Sequence, residues 1–197
     1  MLISNTIRRR IMPKIYIDQG HNPVNPNAGA EGNGFREQDL VQRIGILTAS
    51  ELREAGFEAR VSRPTAGTQL GTSTTTSLAA RVNDANAWGA DLFLSLHTNA
   101  SELSSVSGTE GLIFRRGGDA ERAAEAIVRQ VSFATGLRNR GVNVRTNLYV
   151  LRRTRMPAVL LELGFITNPV DADLMAYSPG LFAAGITNGV LEYYGML

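Results

Sequence analysis

The chain has 197 residues, 43% of them apolar, with no cysteine and two histidines. That length suits one α/β domain that buries its own core, and the absence of cysteine excludes disulfides, thiol nucleophiles and cysteine-ligated metal sites. The net charge of +2 is uneven: Arg8, Arg9, Arg10 and Lys14 fall in residues 1–17 without an acid, and the rest of the chain sets sixteen cations against eighteen acids.

The basic excess therefore belongs to a tail. Residues 1–13 are read as a flexible basic tail and residues 14–197 as the folded domain. No basic stripe marks the body, so no nucleic-acid partner is expected. The opening MLISNTIRRRIM places its charges after a short apolar stretch, the reverse of a secretory signal. No run of 18 apolar residues exists, so no membrane insertion is expected. Met12 is an alternative start to Met1. The expected location is the cytoplasm until release, or a longer exported protein of which this is a part; a monomer is the simplest state.

Lys14 to Asp18 (KIYID) reads as a buried first strand running into Gln19-Gly20-His21. Residues 22–34, rich in Asn, Pro and Gly, read as a loop. Arg36 to Ala55 reads as a helix, with Leu40, Ile44 and Leu47 at helical spacing and Gly56 as its stop. Phe57 to Ser62 is a second strand, Pro64 to Ser77 a polar Thr-rich loop, and Leu78 to Trp88 a short helix. Asp91 to Leu96 is a third strand, with His97 immediately after it. Gly111 to Phe114 is a fourth strand. Ala120, Ala124, Ile127 and Val131 mark a helix ending near Gly136. Leu148 to Leu151 reads as a short strand. Ala158 to Leu161 is a compact buried strand followed by Glu162, and Phe182, Ile186, Val190 and Tyr193 mark a terminal helix. Strands alternating with helices predict a single-domain α/β fold, its twisted sheet mostly parallel or mixed and covered by helices on both faces.

Three polar residues share one position type. His21, His97 and Glu162 each lie at or just beyond the carboxyl end of a strand, where ligands bind in open α/β sheets. Singly, each histidine reads as a hydrogen-bonded loop residue, and Glu162 as a buried structural carboxylate that needs a partner or a metal. Two histidines and no cysteine leave a carboxylate as the third ligand of any metal site. Glu37, opening the first helix, is the candidate, and Glu31 in the same loop competes with it. On position alone Glu37 is an exposed first-turn glutamate favoured by the helix dipole, so spacing alone is a weak signal. A dinucleotide fingerprint is excluded, because Gly32-x-Gly34 is followed by Glu37 where the last glycine belongs.

The motif order is more specific. Asp18-Gln19-Gly20-His21, Gly29-Ala30, Gly34-Phe35-Arg36-Glu37, Ser95-Leu96-His97-Thr98-Asn99-Ala100 and Leu161-Glu162-Leu163-Gly164-Phe165-Ile166-Thr167-Asn168 together resemble the catalytic domain of zinc-dependent N-acetylmuramoyl-L-alanine amidases of type 3. Supporting segments include Ser62-Arg63-Pro64, Leu78-Ala79-Ala80-Arg81 and Arg140-Gly141-Val142, so the resemblance spans roughly residues 14 to 194. It implies one zinc ion held by His21, Glu37 and His97, and Glu162 as the catalytic glutamate. It implies a peptidoglycan substrate, cut between N-acetylmuramic acid and L-alanine. Asn99, Arg140 and Asn168 are candidate substrate contacts, each with a loop or surface role as the plain alternative. The chain departs from the family at Asn22-Pro23-Val24-Asn25-Pro26, where a glycine run is usual.

The chemistry implied is bacteriolytic hydrolysis of the cell wall, either endolysin-like or tied to sporulation. Two other readings stand beside it: a non-catalytic wall- or partner-binding module on the same fold, and a metallopeptidase acting on another amide. Asp18 is a candidate acceptor for an imidazole, with loop capping as the alternative.

Overall fold

The computed structural model describes residues 12–197. The Arg8–Arg10 cluster, and with it most of the expected tail, lies outside these residues. In chain order the elements are β1 (Lys14–Gln19), β2 (Glu31–Gly32), β3 (Phe35–Arg36), α1 (Glu37–Glu54), β4 (Glu58–Val61), α2 (Thr74–Trp88), β5 (Leu92–Asn99), β6 (Thr109–Ile113), α3 (Asp119–Thr135), β7 (Asn139–Val144), α4 (Tyr149–Arg153), β8 (Ala158–Phe165), α5 (Pro169–Tyr177) and α6 (Pro179–Tyr193).

Six strands form one sheet in the order β4-β1-β5-β8-β6-β7. Strands β4, β1, β5 and β8 run parallel; β6 is antiparallel to β8, and β7 runs parallel to β6. This is the mostly parallel mixed sheet expected. Side chains alternate across it with the period of two. Ile15, Ile17, Leu92, Leu94, Leu96, Val159 and Leu161 point to one face and pack with α1, α3 and α6. Tyr16, Phe93, Leu112 and Leu160 point to the other, where α2 and α4 form a thinner cover. Tyr16 and Phe93 stack there with ring centroids 5.6 Å apart. Continuing the same alternation toward the carboxyl ends of the parallel strands puts Asp18, Ser95, His97 and Glu162 on this second face.

Several elements differ from expectation. Residues Leu148 to Leu151 do not form a strand: α4 is a short helix whose Val150 and Leu151 are both buried under the second face. The β-prone composition yields to a site that has room for one helical turn rather than another sheet edge. The Thr-rich segment is not all loop. Ser73 caps α2 and the helix starts at Thr74, because Ser73 Oγ accepts from Thr76 N at 3.1 Å while Thr76 Oγ1 accepts from Ser73 N at 2.9 Å. Inside the Gly-rich loop, β2 and β3 form a hairpin across Asn33-Gly34, both with positive φ (52° and 81°), the pair that a tight primed turn favours. Beyond this hairpin, two further elements are absent from the sequence-based expectation. Strand β7 is a polar, half-exposed edge without apolar alternation, and α5 begins at Pro169 under an Asn168 cap.

Candidate metal centre and active site

The site is assembled from three strands and the amino end of one helix. His21 follows β1, Glu37 opens α1, His97 lies on β5 and Glu162 on β8. The last two occupy partnered positions on adjacent parallel strands. Each of His21, Glu37 and His97 offers one ligand atom, and these atoms lie within 4.8 Å of one another.

Glu37 is the centre of the group. It is 3% exposed despite its place in a first helical turn. Its Oε2 lies 3.2 Å from His21 Nε2 and its Oε1 3.1 Å from His97 Nδ1. Backbone donors fix both oxygens: Ala30 N reaches Oε2 at 2.9 Å and Thr98 N reaches Oε1 at 2.8 Å. Burial pushes the Glu37 carboxyl up, but hydrogen bonds from His21 and His97, with their charge, outweigh it and hold it well below the usual carboxylate range. For His97, burial acts downward, and the Glu37 hydrogen bond with the Glu37, Glu162 and Asp18 charges outweighs it, so the imidazole is raised. Glu31 stands apart, its side chain 73% exposed and 3.9 Å from Arg36 Nε.

Close approach explains two glycines nearby. A Cβ at Gly29 would sit 2.8 Å from Glu37 Oε2 and 2.9 Å from His21 Cδ2. A Cβ at Gly20 would sit 2.5 Å from His97 Cε1. Either side chain would push a donor out of the group.

His21 itself adopts a left-handed backbone, φ 63°, which costs a histidine of order 1–3 kcal/mol. Two buried arginines hold the turn. Arg81 is 1% exposed and donates to the carbonyl of His21, to Gln19 O at 2.5 Å and to Asp18 Oδ1 at 2.6 Å. Arg63 is fully buried and donates to Gly20 O at 3.2 Å and Gln38 O at 3.1 Å. Three consecutive carbonyls are thus gripped by guanidinium groups. The departing segment after His21 is anchored by buried Asn22, whose Nδ2 donates to Pro26 O and Leu70 O, both at 2.9 Å.

Asp18 does not contact an imidazole. Its oxygens accept from Arg81 and, at 2.8 Å, from Ser95 Oγ. Burial raises its carboxyl, and Arg81 more than reverses that, leaving it lowered. Its role is to pair Arg81.

Glu162 lacks such partners. Its Oε2 is buried with no hydrogen bond. Burial pushes the carboxyl up to about 7, against the charge of His97 and with the help of Glu37 and Glu110. Glu110 was not anticipated. It lies beside Glu162 on β6, 9% exposed, and accepts from Asn99 Nδ2 at 2.9 Å and Asn143 Nδ2 at 2.8 Å. The available signal was an ionisable residue inside an otherwise apolar strand, Thr109-Glu110-Gly111-Leu112-Ile113.

The candidate substrate contacts divide. Asn99 supports Glu110. Asn168 caps α5, its Oδ1 accepting from Val170 N and Asp171 N and its Nδ2 donating to Ser104 O. Arg140 is exposed, 5.1 Å over the Phe165 ring, with one bond to Ser107 O at 3.2 Å.

The donor set fits a zinc ion. One ligand atom from each of the three residues converges within 4.8 Å of the others. Two nitrogens and one carboxylate oxygen also match the ligand types of a catalytic zinc site that keeps a position open.

Known proteins share this arrangement of sequence and fold. The family model described as N-acetylmuramoyl-L-alanine amidase (Amidase_3) matches residues 15–192. The N-acetylmuramoyl-L-alanine amidase LytC of Bacillus subtilis is 33% identical over 98% of this chain, which spans 38% of LytC. The sporulation-specific N-acetylmuramoyl-L-alanine amidase of Bacillus subtilis is 33% identical over 94% of this chain and 69% of its own length. Among solved structures, the catalytic domain of CwlV, an N-acetylmuramoyl-L-alanine amidase from Bacillus (Paenibacillus) polymyxa, is similar with a TM-score of 0.82 and 29% identity, covering 94% of this chain and all of that one.

Proposed function

From the premise that this chain belongs to the N-acetylmuramoyl-L-alanine amidase family, we propose that it hydrolyses the amide between N-acetylmuramic acid and L-alanine in peptidoglycan, using one zinc ion held by His21, Glu37 and His97. The observation that carries the reading is the register of His97 and Glu162 on neighbouring strands, which supports a metal-ligand role for the first and a base role for the second. When bound, zinc supplies Lewis acidity, polarising the scissile carbonyl and making water a nucleophile near neutral pH.

The protein's residues do the rest. Glu162 takes the proton from the attacking water and returns it to the departing amine nitrogen, a general base and then a general acid. Its carboxyl, pushed up to about 7 by burial, suits both halves of that task at neutral pH. A metal cation would pull it down, and the neighbouring Glu110 charge opposes that pull. Both histidines are taken as ligands, so neither is left for base work. Arg140 is the proposed contact for carboxylates of the stem peptide, because its guanidinium remains largely free at the carboxyl end of the sheet. Half-buried Asn99 and buried Asn168 are engaged within the protein, on Glu110 and on α5.

The site of action would be the bacterial cell wall. Relatives carry both roles in their names: one is sporulation-specific, and another solved structure, 25% identical, is the catalytic domain of an endolysin targeting Clostridia difficile. No helix among the described residues is long and apolar enough to cross a membrane.

Digestion of purified peptidoglycan, read by mass spectrometry, tests the activity. Stem peptides released with a free L-alanine amino end are expected. Muropeptides left intact at saturating zinc would exclude it, and cleavage at another amide would favour a metallopeptidase.

A further inference from the structure

A second concave site lies at the other end of the sheet. A cavity of about 350 Å³ is lined by Phe114, Arg115, Leu151, Arg152, Arg155 and Met156, among others. It opens where β8 begins, at Ala158, four residues before Glu162. At the rise of a strand this separates it from the catalytic glutamate by about 13 Å. Occupancy of one end therefore leaves the other free.

Its chemistry is one-sided. Three arginines line it and no acid does. All three are exposed, and among the described residues none makes a side-chain hydrogen bond or ion pair. The two acids that flank the lining residue Ala120 are already engaged: Asp119 with Arg122, and Glu121 with Arg116 and Gly117 N. This is local positive charge on a body whose acids outnumber its cations. Phe114, Leu151 and Met156 add apolar surface to the lining.

The arginine-bearing backbone is also held in place. Asn86 Oδ1 accepts from Arg155 N at 3.0 Å and its Nδ2 donates to Arg153 O at 3.1 Å. Thr154 Oγ1 donates to Val150 O at 2.8 Å, closing the end of α4. Arg152 and Arg155 come from this anchored segment and Arg115 from just past the end of β6, and guanidinium groups gathered round a concavity suit the oxygens of phosphate groups. The volume exceeds that of one phosphate, and the apolar part of the lining accommodates the links between several.

We propose that this cavity binds a linear phosphate-bearing polyanion, with Arg115, Arg152 and Arg155 as the recognising groups. The site is separate from amide hydrolysis and stands whether or not that activity is found.

The test uses a six-repeat glycerol phosphodiester oligomer as probe, with binding measured by calorimetry at several salt concentrations. The wild-type protein should bind it, with affinity falling as salt rises. Replacing all three residues (R115A, R152A, R155A) should weaken binding at least tenfold. Removing the same charge elsewhere (R43A, R60A, R129A) should change it less than twofold. Peptidoglycan cleavage should stay within twofold of wild type in both. Circular dichroism establishes that the variants fold, and R152E alone should weaken binding at least threefold if the triple variant does not. Equal weakening in both triple variants would overturn the proposal in favour of diffuse charge. So would binding only to phosphatidylglycerol vesicles, or no binding at all.

Discussion

His97 and Glu162 sit side by side on parallel strands β5 and β8, one facing Glu37 and the other holding an oxygen with no partner. The pairing assigns different duties to neighbours in one row. His97 belongs to the group proposed to hold the ion, and Glu162, outside that group, is the proposed base. E162Q should therefore retain zinc at wild-type occupancy while turnover falls by about two to four orders of magnitude, the usual contribution of a general base. Metal analysis beside peptidoglycan turnover separates the two effects; full activity in E162Q would remove Glu162 from the role.

The ligand assignment divides Glu37 from Glu31. E37A should lose zinc, because the variant removes the one carboxylate that, among the described residues, pairs with both imidazoles. E31A should keep it, since Glu31 is exposed and paired only with Arg36. H97A should lose it as well. Zinc content after dialysis against a weak chelator reads all three, and full occupancy in E37A would move the third ligand elsewhere.

Proton linkage gives a signature in the metal-free protein. Glu162 is raised from 4.5 to about 7. The folded state therefore binds the proton more tightly than the unfolded one, and this group's contribution to stability falls as pH rises between those values. The loss is at most about 3 kcal/mol, at 1.36 kcal/mol per pKa unit. Glu37 works the other way: its depressed carboxyl contributes stability above the ordinary range that is lost as pH falls below it. Urea unfolding at pH 5 and pH 8, for wild type against E162Q, isolates the first term, because the Glu37 titration is common to both. E162Q should lose less stability on going to pH 8; parallel losses would contradict the burial assigned to Glu162.

Arg81 is predicted to serve geometry as well as stability. R81M alone leaves Asp18 buried without its partner and should cost about 3–5 kcal/mol. Adding D18N removes the stranded charge and should recover much of that stability. Zinc affinity should not recover, because nothing then holds the carbonyl of His21 in its left-handed turn. Recovery of both in the double variant would mean that Arg81 acts on stability alone.

Sequence alone revealed the parts governed by local rules. Apolar runs ending in a polar residue located β1, β5 and β8, so His21, His97 and Glu162 could be placed at one end of the sheet. Helical spacing located α1, α3 and α6. Legibility failed where tertiary context decides. Strand β7 has no apolar period to read because it is an edge, and α4 is helical because of what lies above it. Glu37 looked like a solvated first-turn acid; only the approach of Ala30 and Thr98 backbone shows it to be buried. Arg63 and Arg81 stand in motif segments, but their roles, like Glu110 altogether, were not legible, since their partners are backbone carbonyls or amides more than ten residues away.

All four assignments depend on a single ion. Anomalous diffraction from zinc-loaded crystals, recorded on either side of the zinc absorption edge, locates that ion directly. The account predicts one peak, bonded to one atom each of His21, Glu37 and His97, with Glu162 beside it but not bound. A peak held by other residues, or with either histidine out of bonding distance, would contradict it.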